Sequence, residues 1–300
     1  MNRNRTPGKL LLFGEYTVLL GSTALAMPLP HLNGYWRNGV ATAQQDLMPF
    51  AEYLRQLSLD QHLLAPIEAD HFMQEVKEGL IFESNIPVGY GAGSSGALCA
   101  AVYERYAKPA TPKNDEKALP VLQQQLAQLE GFFHGQSSGA DPLICYLQQP
   151  LLFEGKTIRP VEASGWHNRK GCFFLVDTRI SRRTAPLVKH FKAKCKDHRF
   201  RENAMQFLAK PTTAAVHAYL QNQVEAMEQA LLQISIAQLE LLTDFIPDQF
   251  RSQWSEGLET ERFYLKLCGA GGGGFLIGYS PGGQLPQAIP PEILSPLPQV

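Results

Sequence analysis

The residues with the most to say about chemistry form a glycine-rich run, Pro87-Val-Gly-Tyr-Gly-Ala-Gly-Ser-Ser-Gly-Ala97, between a strand-like segment and a helical one. Glycines let consecutive backbone N–H groups converge, and the helix that follows adds the positive end of its dipole. Such a loop holds an anion, most simply a nucleotide phosphate, without any basic side chain. A tight turn is the plainer reading of the same glycines. Two other chemistries fall away. Gly91-Ala-Gly93-Ser-Ser-Gly96 fits the dinucleotide pattern G-x-G-x-x-G, but that fold needs an acid ending a second strand about 20 residues on. Here that place falls near Asp115, in a proline-bearing loop. The phosphate-loop pattern G-x-x-x-x-G-K-[ST] and the protein-kinase catalytic motifs are both absent.

Other reactive groups lie outside this loop, each with an ordinary alternative. Asp141, in Ser137-Ser-Gly-Ala-Asp141-Pro142, is well placed to cap or start a helix. Glu130 stands four residues before His134. The pair could sit on one helix face as transition-metal ligands, but no third candidate ligand is near, and a solvated glutamate is the simpler reading. Lys9 heads the first apolar run and would ordinarily be an exposed lysine. Arg179 and Arg182, with Arg183, follow a strand-like segment, where a guanidinium could grip a carboxylate or phosphate through two hydrogen bonds. Lys189, Lys192, Lys194, Lys196 and Arg199 read as a solvated basic helix face.

The elements that must position these groups follow from apolar periodicity. Leu10–Phe13 and Ile81–Ile86 read as strands, Val18–Ala26 as the start of a second apolar segment, and Ala97–Tyr106 as a helix. Phe50–Leu64 and Ala69–Leu80 carry mixed helical patterns, and Lys108–Lys117 reads as a solvated loop. Pro120–Phe133 is a helix with Leu122, Leu126, Leu129 and Phe133 as its apolar stripe, Pro120 in its first turn and Gly135 at its stop. Gly155–Gly171 is turn-rich and marks the expected domain boundary. Strands are expected at Cys172–Val176, Phe263–Leu267 and Phe275–Tyr279, with one long helical pattern over Thr213–Leu242. The last twenty residues hold six prolines and are expected to lie on the surface or fray. Strands and helices alternate irregularly, which indicates an α+β protein.

At this point a resemblance becomes specific. Pro87–Ala97 is similar to the central motif of the GHMP kinases, P-x-x-x-G-x-G-S-S-[AG]-A, whose backbone wraps the ATP phosphates. Gly8-Lys-Leu-Leu-Leu-Phe-Gly-Glu-Tyr-Thr-Val-Leu-Leu-Gly21 resembles the first motif of that superfamily, and Lys266-Leu-Cys-Gly-Ala-Gly-Gly-Gly-Gly-Phe275 the third. The resemblance implies two domains, residues 1–165 of ribosomal-protein-S5-like form and residues 166–300 of ferredoxin-like form, with ATP and substrate meeting between them. It implies ATP contacts from Pro87, Gly89, Gly91, Ala92, Gly93, Ser94, Ser95, Gly96 and Ala97. It also implies Mg²⁺ on Ser95 and Glu130, Asp141 as the base, and Lys9 beside it on the attacking oxygen. Glu15, Tyr16, Arg179, Gly269, Ala270 and Gly271 would serve the substrate, with Glu15 orienting either it or Lys9. The stretch from His134-Gly to Asp141 resembles mevalonate kinases, whereas Gly14-Glu15-Tyr16 resembles phosphomevalonate kinases. The expected acceptor is therefore the hydroxyl of mevalonate, with phosphomevalonate as the alternative. A nucleotide-binding sensor without turnover is the reading from another class.

Composition bounds the rest. The chain is 44% hydrophobic and 18% charged, enough for a sizeable core, and its net charge of −1 gives no field for nucleic acid or an anionic membrane. Five scattered cysteines, odd in number and without metal or redox spacing, suit a reduced cytoplasm. No apolar run is long enough for a bilayer span. The expected partner is a small molecule, with the chain a monomer or homodimer.

Overall fold

The computed structural model describes residues 5–40, 42, 46–155, 157–162, 170–182 and 184–297. The chain divides into two compact units, one of residues 1–9, 27–87 and 92–149 and the other of residues 10–26, 88–91 and 150–300. The expected boundary at residues 165 and 166 lies outside the described residues. Strands β1 (Thr6–Phe13) and β2 (Ala24–Asn38) each contribute residues to both units.

In the first unit, Gly34–Asn38 of β2 pairs antiparallel with β3 (Leu80–Ser84). Five helices complete it: α1 (Met48–Leu59), α2 (Ala69–Lys77), α3 (Ser94–Tyr106), α4 (Leu119–His134) and α5 (Ala140–Leu147). Helix α4 has Pro120 in its first turn, where no N–H is needed, and stops at Gly135, whose φ of 74° suits glycine. Its buried side is Leu122, Leu126, Leu129 and Glu130. Phe133, expected in that stripe, is 38% exposed. Position 133 lies on the same stripe but in the last turn of the helix, where its ring still packs on Phe50 at 5.1 Å, while Glu130 on the edge of the stripe is buried. Helix α3 begins at Ser94, three residues before expectation, so both serines lie in its first turn.

In the second unit, Ala24–Ala26 of β2 pairs with β4 (Leu151–Glu154), and β4 with β5 (Thr157–Pro160). β2 also pairs with β1, and Pro28 and Pro30 lie outside its stretches paired with β3 and β4, so their missing N–H costs neither of those two ladders. A separate antiparallel sheet has the order β7 (Tyr264–Leu267), β8 (Phe275–Ser280), β6 (Cys172–Asp177), β9 (Leu294–Pro296). In chain order that is 2-3-1-4, the ferredoxin-like arrangement. Between β6 and β7 run α6 (Thr184–Lys194), α7 (His198–Ala204), a π turn (Met205–Ala209), α8 (Lys210–Leu220), α9 (Val224–Leu241) and α10 (Arg251–Thr260). The helical pattern expected as one piece over 213–242 is thus two helices. Asn222 at φ 58° reverses the chain between them, a left-handed conformation that asparagine tolerates. The proline-rich C-terminal stretch is largely exposed, and its Leu294–Pro296 pairs with β6 as an edge strand. The core of this unit gathers Phe174, Val176, Phe245, Trp254, Leu265, Leu267 and Leu276.

Candidate active site

In the first unit the end of the glycine run from Ala92, Lys9 of β1 and the heads of two helices converge. The Lys9 backbone N–H donates to the Ala92 carbonyl at 2.9 Å, tying β1 to the loop. The Lys9 ammonium lies 2.8 Å from Asp141 Oδ2, with side chains 11% and 39% exposed. Gly93 makes this approach possible: its φ is 80°, and a Cβ there would stand 2.7 Å from Lys9 Cγ. At Gly96 a Cβ would meet the Asp141 carbonyl carbon and the Pro142 nitrogen at 2.9 Å, so α3 and α5 touch through glycine. Asp141 lies inside the first turn of α5, whose N-cap is Gly139, so its carboxylate goes to Lys9 rather than to a cap. Helix α3 likewise has a glycine N-cap and no side-chain cap, which leaves its first N–H groups for another acceptor.

Beside this pair sits a second set of oxygens. Ser95 donates to Glu130 Oε1 at 3.1 Å, and Ser137 to Glu130 Oε2 at 2.5 Å. His134 Nε2 lies 3.0 Å from the Ser95 hydroxyl. Glu130 is 4% exposed. Its burial first, and the charge of Asp141 second, push its carboxyl above the usual range, against the pull of the two serines. Among the described residues no group of three or more His, Cys, Asp or Glu could hold a metal. Ser95 and Glu130 still fit a hard cation, which often takes one or two protein oxygens and completes its shell with phosphate and water.

In the second unit another set surrounds the third glycine run. Glu15 Oε1 and Lys266 Nζ are 2.6 Å apart, with both side chains 2% exposed. Burial raises the Glu15 carboxyl, and Lys266 only partly offsets it. Lys266 also donates to its neighbour Leu267 O at 2.9 Å. Tyr16 donates to the Ala270 carbonyl at 2.6 Å, and its ring stacks on Phe191 at 4.5 Å. Burial pushes its phenol up. Gly269 and Gly271 through Gly274 all have positive φ. Thr178 Oγ1 donates to the Gly274 carbonyl at 2.6 Å, and the Gly274 N–H to Ile180 O at 2.7 Å. Arg182 donates to the Cys268 carbonyl at 3.0 Å, and its N–H to the Gly89 carbonyl at 3.1 Å. A Cβ at Gly91 would meet that guanidinium at 2.6 Å.

With this geometry, comparison becomes decisive for the fold. Residues 59–149 match the family model "GHMP kinases N terminal domain". The solved structure of L. major mevalonate kinase with R-mevalonate superposes over 93% of this chain and 87% of its own, at 18% identity and TM-score 0.62. The Streptococcus pneumoniae phosphomevalonate kinase with phosphomevalonate and AMPPNP does so over 93% and 92%, at 17% and 0.62. The chain has the GHMP kinase fold. In sequence it is 24% identical over 231 residues to the mevalonate kinase of Arabidopsis thaliana, covering 72% of this chain. It spans 60% of the length of that curated relative.

Within the GHMP fold, the expected residues fall into two groups. Lys9, Ala92, Gly93, Ser94, Ser95, Gly96, Ala97, Glu130 and Asp141 belong to the first unit, with Pro87. Gly89, Gly91, Glu15, Tyr16, Arg179, Gly269, Ala270 and Gly271 belong to the second. Lys9 pairs with Asp141 in the first unit and Glu15 with Lys266 in the second. Arg179 is exposed, with a φ of 57° and its N–H turned back to Asp177 Oδ1 at 2.8 Å. Arg182 is the arginine held among the glycines. Burial lowers its pKa from the usual value, and its Nε is buried without an acceptor among the described residues. Arg183 lies outside the described residues. Sequence reasoning gave no role to Lys266 or Ser137, and weighed His134 only as a metal ligand beside Glu130. The i, i+4 spacing of Glu130 and His134 was the available signal, since it puts both on one side of α4, and both in fact reach Ser95.

Proposed function

We propose that this chain is an ATP-dependent phosphotransferase whose acceptor is a small alcohol, with mevalonate as the leading candidate. The observation that carries the reading is the Lys9–Asp141 pair, 2.8 Å apart, against the glycine turn at the uncapped head of α3. Phosphoryl transfer needs positioning and charge stabilisation more than covalent chemistry from the protein. The α3 N–H groups and the glycine backbone offer donors to the nucleotide phosphates. Asp141, part-exposed, accepts the proton of the acceptor hydroxyl as its oxygen bonds to the γ-phosphorus and the bond from that phosphorus to ADP breaks. Lys9 stabilises the developing oxyanion. Mg²⁺ would be held by Ser95 and Glu130, and when bound it neutralises charge on the phosphates.

The Gly14-Glu15-Tyr16 argument for phosphomevalonate weakens once Tyr16 is seen buried with its hydroxyl on Ala270. That residue has a structural duty that does not depend on the acceptor. An ionised phosphate acceptor has little need of a base, whereas Asp141 offers one. Lys9, Ser95, Glu130 and Asp141 stand together in one unit, which argues against a sensor without turnover. No helix among the described residues is long and apolar enough to cross a membrane, and five free thiols suit the cytoplasm as the place of work. A coupled assay of ADP formation over mevalonate, phosphomevalonate, homoserine and galactose tests the reading. Turnover highest on mevalonate is expected. Turnover on none of the four would overturn it.

A further inference from the structure

Two side chains with no part in the chemistry above, His134 and Ser137, hold the oxygens of Ser95 and Glu130. We propose that they are positioning residues that aim this oxygen pair at a divalent cation. The inference rests on the kinase reading and deepens it.

An inventory of hydrogens and lone pairs gives the argument. A serine hydroxyl has one hydrogen and two lone pairs. The hydrogen of Ser95 goes to Glu130 Oε1 at 3.1 Å. His134 Nε2, 3.0 Å from the same oxygen, must then be the donor, so the imidazole carries its proton on Nε2. Ser95 keeps one lone pair, and its direction is fixed by the other two bonds. Glu130 is treated similarly. Oε1 accepts from Ser95 and Oε2 from Ser137, so the carboxylate is anchored at both ends and cannot turn. Ser137 is itself held, because its hydroxyl oxygen accepts from the Gly139 N–H at 2.9 Å in the turn that opens α5. Neighbouring hard oxygens in fixed orientation, each with a lone pair to spare, are what a small divalent cation demands of the protein, with phosphate and water supplying the rest. Outer residues that orient ligands in this way typically contribute about 10–100-fold to metal affinity.

This assignment also accounts for the spacing of Glu130 and His134. The two side chains meet at Ser95 rather than at a metal of their own. A purely structural account would have His134 and Ser137 finishing α4 and shaping its following turn. That account predicts altered stability with no selective effect on a cation.

The two accounts separate in a binding experiment on the full chain. Mn²⁺ serves as probe, with free Mn²⁺ followed by electron paramagnetic resonance at saturating ADP. Ser137→Ala and His134→Ala should each weaken Mn²⁺ binding about 10-fold, with metal-free ADP affinity unchanged. Ser137→Thr keeps a hydroxyl and His134→Gln keeps an N–H donor, so both should retain most of the affinity and guard against a folding defect. If both alanine variants bind Mn²⁺ as the wild type does while Glu130→Gln loses it, the positioning role is overturned and the kinase reading stands. Thr and Gln variants as weak as the alanines would also overturn it. Should Glu130→Gln itself bind Mn²⁺ normally, the cation is held elsewhere, and this inference falls with that part of the reading.

Discussion

Asp141→Asn and Lys9→Met, alone and together, put the proposed chemistry to its sharpest test. Both changes keep side-chain size and remove one charge. The Asp141 carboxylate is 39% exposed and the Lys9 side chain 11%, so water screens the pair from the carboxylate side. Pairs of this kind contribute about 0–1 kcal/mol to stability. Unfolding in urea should therefore move by no more than that amount. The effect on rate is of another order. An alcohol is a poor nucleophile near neutral pH, and a positioned base is worth about 10²–10⁴-fold. At ~1.4 kcal/mol per tenfold, that is about 3–5.5 kcal/mol of barrier. Steady-state turnover on an alcohol acceptor should fall at least ~100-fold in Asp141→Asn with ADP binding intact. Lys9→Met should also fall, and the double variant should lose less than the product of the two, since both residues serve one step. A phosphorylated acceptor gives another pattern: Asp141→Asn mild and Lys9→Met severe. Near-normal turnover on an alcohol in both single variants would refute the pair.

Two further outcomes follow from burial and backbone geometry. Lys266→Met leaves the Glu15 carboxylate buried without its partner and should cost about 3–5 kcal/mol, read from urea midpoints. Because burial raises the folded-state pKa of Glu15, the stability it contributes is present below its unfolded value near 4.5 and is lost as pH rises through the folded value. The Lys266→Met deficit should therefore be smaller at pH about 5 than at pH about 7.5, and equal deficits would mean another group is responsible. Gly93→Val forces a branched side chain onto a φ of 80° and into Lys9 Cγ. Calorimetry should show nucleotide affinity lost with far-UV circular dichroism retained, and unchanged affinity would remove the backbone cradle.

What the sequence made legible was local. The glycine run, the stop of α4 at Gly135 and the strands around the third glycine run each depend on residues within a few positions of one another. Glycine and proline write their backbone preferences directly into the chain. The break between α8 and α9 was hidden because Gln221, Asn222 and Gln223 carry no glycine or proline, and a lone asparagine, whose left-handed conformation reverses the chain there, is a weaker signal. Strand β2 was hidden because Pro28 and Pro30 read as breakers, although both fall outside its stretches paired with β3 and β4. Partners far apart in sequence were the least legible. Lys266 sits 251 residues from Glu15, and nothing near either residue names the other.

The two lysine–carboxylate pairs show why such partners matter for function. Both join a residue of the first glycine motif to a distant carboxylate or ammonium, and at the level of residue type they are indistinguishable. Their surroundings make them opposites. Glu15 and Lys266 are closed off from water, so any incoming group would have to displace a charge that has nowhere else to go. That pair can fasten the turn after β1 to β7, and its energetic signature belongs in a denaturation curve. Lys9 and Asp141 meet where the carboxylate is open to solvent, and a hydroxyl can enter between them at the cost of a screened interaction only. That pair can exchange its partner for a reacting atom, and its signature belongs in a rate. Burial, which depends on every element packed around a pair, favours a structural role for one and is compatible with the proposed chemical role of the other.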